Sequence, residues 1–188
     1  MKHSLSTLTI ASILAALTAC SDKAPDKTAL STTVTGATPA GSADTAFSAP
    51  SAVRPASIPN ALKATDQCSI DMVNDVAAKE STVITDKAKV RLQGWAADAV
   101  AGTTPKEVYL ELEGPTKAYV QAATNVSRPD VATHFNKPAL ASSGWNAFAN
   151  VSALPAGSYV ARVIQVNGDG TGSLCDAHRE WILNATGS

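Results

Sequence analysis

Lys106-Glu107-Val108-Tyr109-Leu110-Glu111-Leu112-Glu113-Gly114 is the stretch on which the fold turns. Val108, Leu110 and Leu112 alternate with Glu107, Tyr109, Glu111 and Glu113. Successive side chains of an extended chain point to opposite faces, so a period of two marks a half-buried strand. Gly157 to Asn167 repeats the pattern, with Val160, Ile164 and Val166 on one face and Tyr159, Ala161 and Val163 on the other. Arg162 shares the first face, which places this strand either under cover on both sides or near an edge. Asn167-Gly168-Asp169-Gly170 follows as a hairpin turn, because Asn and Gly take positive φ at little cost.

Working outward, strands are expected at Ser81–Thr85, Ala88–Ala97, Ala118–Ala123, Ala147–Ser152 and Arg179–Asn184. Short strands at this spacing, divided by turn signals, predict an all-β fold, an antiparallel β-sandwich. One short helix interrupts them. Arg128-Pro129-Asp130-Val131-Ala132-Thr133-His134-Phe135 puts proline at the first helical position and an acid in the first turn, with Ser127 or Arg128 as the cap. The folded domain is expected over 66–188.

Residues 20–65 read differently. They are rich in Ala, Ser, Thr and Pro, carry one aromatic, Phe47, and show no sustained periodicity. Such a segment buries too little apolar area to offset its ordering entropy and is expected to be a disordered tether. Before it, Met1-Lys2-His3 is a short positive start and Leu5 to Leu17 an apolar run too short for a membrane span. Leu17-Thr18-Ala19-Cys20 then closes on small residues and a cysteine. The pattern of 1–19 resembles a bacterial lipoprotein signal peptide, with Leu17–Cys20 as its lipobox. That resemblance implies lipidation of Cys20, cleavage before it, and a protein held to the envelope membrane by its acyl chains. Ser21 after the cysteine resembles an outer-membrane sorting signal.

Two cysteines remain, Cys68 and Cys175, at the ends of the folded segment. An oxidising compartment and an even count favour a disulfide between them over two buried thiols.

Ser69-Ile70-Asp71-Met72-Val73-Asn74, Gly94-Trp95-Ala96-Ala97-Asp98, Arg128-Pro129-Asp130-Val131-Ala132 and Leu154-Pro155-Ala156-Gly157-Ser158-Tyr159 stand in order. Together they resemble a small β-sandwich module found beside bacterial glycosyltransferases and in other envelope proteins. The resemblance implies an immunoglobulin-like accessory module and no transferase activity. Read by themselves, these residues are mostly architectural. Trp95 is expected in the sandwich core, with Gly94 permitting a bulge or close packing. Asp98 turns the chain, and Arg128 and Asp130 pair with each other or satisfy loop carbonyls.

Little catalytic chemistry is visible. His134 and His178 lack partners at metal-ligand spacing and read as surface or capping residues, so no metal and no cofactor are expected. Glu111 and Glu113 read as a solvated strand face. There is no nucleophile elbow and no phosphate-binding glycine loop. A net charge of −1 argues against a nucleic-acid partner. The expected function is therefore that of a lipid-anchored envelope module without enzymatic activity, binding a protein or supporting an assembly. The other reading is recognition of envelope glycan through exposed aromatics, with Trp145, Tyr109 and Tyr119 as candidate ligand contacts, although Trp145 equally resembles the aromatic that starts a core strand in the related modules.

Overall fold

The alternating stretch forms a strand whose Val108, Leu110 and Leu112 are almost wholly buried, as its period requires. The computed structural model describes residues 46–185. The leader expected over 1–19, the lipidation at Cys20 and the tether as far as residue 45 lie outside the described residues. In chain order the strands are β1 (Lys63–Thr65), β2 (Cys68–Val73), β3 (Val76–Ala77), β4 (Ser81–Ile84), β5 (Val90–Ala96), β6 (Glu107–Glu113), β7 (Lys117–Val126), β8 (Gly144–Ala149), β9 (Gly157–Val166) and β10 (Gly172–Leu183). Helix α1 (Pro129–His134) and a 3-10 turn (Pro138–Ser142) lie between β7 and β8. The expected all-β, sandwich-like fold with one short α-helix is what forms.

The strands run in the order β1-β10-β9-β6-β7-β8-β5-β2-β3, with β4 also on β10. β7 belongs to two layers. Its Ala118–Ala122 part pairs with β6, while Ala123 and Val126 pair with β8 across a register shift. Asn125 sits there at φ 64. A bulge of this kind sharpens the local twist and lets one strand turn the corner between two sheets. The inner faces meet in one core that includes Leu92, Leu110, Trp145, Tyr159 and Trp181. The disulfide Cys68–Cys175 joins β2 of one layer to β10 of the other, closing the side opposite the β7 corner.

Several expectations need correction. Trp95 does not enter the sandwich core. It lies on the outer face of β5, edge-on to Phe135 at 5.6 Å, in a smaller cluster with Val131 and Leu140. Trp145 takes the core position, fully buried. Gly94 is what makes room for it: a Cβ there would stand 2.4 Å from the Trp145 ring and 2.0 Å from the Ser69 carbonyl oxygen. β8 begins three residues earlier than expected, at Gly144, and β10 extends back to Gly172 through an irregularity between Asp176 and Arg179.

The tether expectation is also corrected, over residues 46–65. β1 pairs in parallel with β10, and Ile58 is buried against Tyr109, Tyr119, Ile164 and Val166 on the outer face of β6, β7 and β9. Residues 48–51 fill the gap where β7 and β8 part. Ser48 N–H donates to Phe148 O (3.1 Å) and Asn150 N–H to Ser48 O (2.9 Å), while Ser51 and Tyr119 exchange two bonds of 2.8 Å. This strap satisfies edge groups that burial would otherwise leave unpaired. It also answers the two-faced pattern of β9, which is covered on both sides.

Candidate functional site

The three aromatics expected to meet a ligand do not form an open platform. Trp145 is 0% exposed in the core, and Tyr109 and Tyr119 are 5% and 6% exposed. Tyr109 and Tyr119 do come together, but beneath the strap. The Ser57 hydroxyl is 2.8 Å from the Tyr109 hydroxyl, which donates to Glu107 Oε2 at 2.7 Å. That bond holds the Glu107 carboxyl below its ordinary pKa, and burial, above all, raises the Tyr109 phenol. Burial does the same to Tyr119, followed by the nearby Glu111 carboxylate. Of the three, none presents an open ring face to a ligand.

Glu111 departs from its expected solvated face. It is 6% exposed, with Lys117 Nζ at 3.5 Å and Arg162 Nη1 at 3.8 Å. Arg162 also bonds Glu113, and Lys117 stands 3.6 Å from it. Two cations on neighbouring strands neutralise two acids, and this permits the burial. His178 is exposed at φ 51 in the β10 irregularity, and His134 lies edge-on to Phe135 at 4.8 Å in the last turn of α1.

Arg128 acts as a fork. Its Nε and Nη2 donate to the two oxygens of Asp130 at 2.9 and 2.7 Å, and its Nη1 donates to Asp71 Oδ2 at 2.6 Å. The guanidinium ties the start of α1 to β2 and spans the long β7–β8 connection. It holds the Asp130 carboxyl down at about 2. Asp71, Arg128 and Asp130 therefore form one structural clasp.

A groove of about 770 Å³ opens at the end of the sandwich where the β5–β6 loop faces the β9–β10 turn. Gln165 lies in its floor, 2% exposed, its Nε2 donating to Gln67 O at 3.0 Å. One rim is held by Asp98, which accepts Ala101 N–H on Oδ1 at 2.8 Å and is bonded through its backbone to Gly102 and Thr103. Lys137 Nζ fixes the tip of that loop through Val100 O at 2.6 Å. In the other rim, Asp169 Oδ1 accepts both the N–H and the hydroxyl of Thr171, and these bonds lower its pKa. The sequence reading identified Asp98 and the 167–170 turn as chain reversals. It passed over Gln67 and Gln165. A lone glutamine on the apolar face of a strand was the available signal.

Comparison of the chain with protein-family models, with curated proteins and with solved structures found no match.

Proposed function

We propose that this chain is a lipoprotein of a bacterial cell envelope, held to the outer membrane through Cys20, whose β-sandwich is a non-enzymatic binding or structural module. One observation carries the reading. Of three cysteines, Cys68 and Cys175 are joined to each other, and the third stands at the end of the leader pattern. A structural disulfide belongs to an oxidising compartment, where a lipidated leader also delivers its cargo. The charged side chains support the non-enzymatic part. Arg128, Asp71 and Asp130 form a clasp, and Arg162, Lys117, Glu111 and Glu113 hold one strand face together, so these groups serve architecture. The order of the GWAxD and RPDVA motifs supports an accessory role beside other envelope machinery.

Labelling cells with a radioactive fatty acid tests the anchor. The chain with Cys20 should take up label and sediment with membranes, whereas Cys20→Ser should remain unlabelled and keep its leader. Normal processing of the serine variant would overturn the assignment.

A further inference from the structure

We propose that the loop-end groove between the β5–β6 loop and the β9–β10 turn is a binding site for an uncharged glycan segment. The inference rests on the envelope reading above, which would bring the groove among polysaccharides, and it names the ligand class of that module. Both rims are already fixed. Asp98 and Lys137 hold one loop, and Asp169 with Thr171 holds the other, so little ordering cost remains to be met on binding. The volume lies within the range of small-ligand sites.

The lining selects the chemistry. Amides and hydroxyls from Gln67, Gln165, Thr65, Thr103 and Ser173 line the groove, with the carboxylates of Asp98 and Asp169 at its rims. Asp98 and Asp169 each use Oδ1 within their own loop, and among the described residues nothing engages Oδ2 of either. Gln165 Nε2 is engaged by Gln67 O, so the amide oxygen is the acceptor Gln165 has left for the floor. Sugar hydroxyls donate and accept at neighbouring carbons, which matches an array of amide and carboxylate acceptors beside hydroxyl donors. Among the described lining residues, two carboxylates stand against one ammonium, that of Lys63, while Lys137 Nζ is engaged by Val100 O, and this disfavours phosphate or acidic polymers. A peptide is disfavoured because the apolar side chains lining the groove, Ala64, Ala97, Ala101 and Val100, are too small to form a deep side-chain pocket. Its most conspicuous apolar residue, Val100, is 83% exposed at the lip.

The test uses the full chain in detergent micelles on an array of neutral oligosaccharides, acidic oligosaccharides and peptides. Thr103→Trp and Ser173→Trp fill the groove from opposite walls at positions that are not buried. Neutral oligosaccharides should be retained by the native chain and weakened about tenfold or more by either variant. Both variants should keep the native melting temperature. Equal retention by native and filled chains, retention of acidic sugars or peptides alone, or no retention at all would overturn the proposal. Cys20→Ser, assayed in parallel, separates the two readings, because loss of anchoring should leave glycan retention unchanged.

Discussion

Asp130 shows how a single exposed acid can report on the tertiary structure. Its carboxyl is held near 2 by Arg128, below the ordinary 3.8, so the folded chain binds its proton less readily than the unfolded chain does. The stabilisation is therefore complete above about pH 4 and is lost as pH falls toward about 2. Because Asp130 is largely exposed, solvent screening limits the effect to less than about 1 kcal/mol. Urea unfolding of the native chain and Asp130→Asn should differ at pH 6 and converge near pH 2. A constant difference across that interval would show that Arg128 does not sense this carboxylate. Trp145 teaches another lesson at the same scale. Its ring lies where a Gly94 side chain would be, so the two positions are one packing decision separated by 51 residues. Sequence placed glycine before Trp95 and so assigned the core to the wrong indole. Local order names the neighbour along the chain, whereas the glycine serves the neighbour across the sheet.

Among elements, the strap is the one that composition concealed. Residues 46–62 contain four apolar side chains larger than alanine apart from proline, Phe47, Val53, Ile58 and Leu62, and they follow no period. Yet Ile58 is 3% exposed, because β6, β7 and β9 present Tyr109, Tyr119, Ile164 and Val166 on the face that a two-layer sandwich leaves outside. Ile58→Ala should lower stability by about 2–5 kcal/mol, the usual cost of truncating a buried isoleucine. Val53→Ala, at a side chain 76% exposed, should change little. Chemical denaturation of both variants checks the contrast, and equal effects would place the strap off the sheet. The strands with a strong period of two, β6 and β9, were legible to within a residue at each end. β2 and β3 were not singled out as a hairpin. They meet at Asn74 and Asp75, both at positive φ (50° and 63°), a turn without the glycine that usually marks one. The loop-end groove was legible only as turns, since its floor comes from residues 67 and 165, which are brought together by pairing distant in sequence.

For the molecule as a whole, the sandwich is closed by different means on its two sides. On one side β7 passes from layer to layer, and the strap plugs the gap beyond it. On the other, Cys68–Cys175 joins β2 to β10 across a separation of 107 residues. Opening a loop that long in the unfolded chain corresponds to about 4–5 kcal/mol in chain-entropy models. Reduction should lower the denaturation midpoint accordingly and add the mass of two hydrogens. A midpoint unchanged on reduction, with the mass gained, would mean that the β7 corner alone suffices. The strap has one more effect, on distance. The chain enters the fold at Ser48 rather than after residue 65. Were Cys20 lipidated as proposed, about 28 residues would separate it from the fold, a contour length of at most about 100 Å. A polysaccharide bound in the proposed groove would then have to pass within that radius, so the seat of Ser48 beside β8 would set how deep into the envelope the domain reaches.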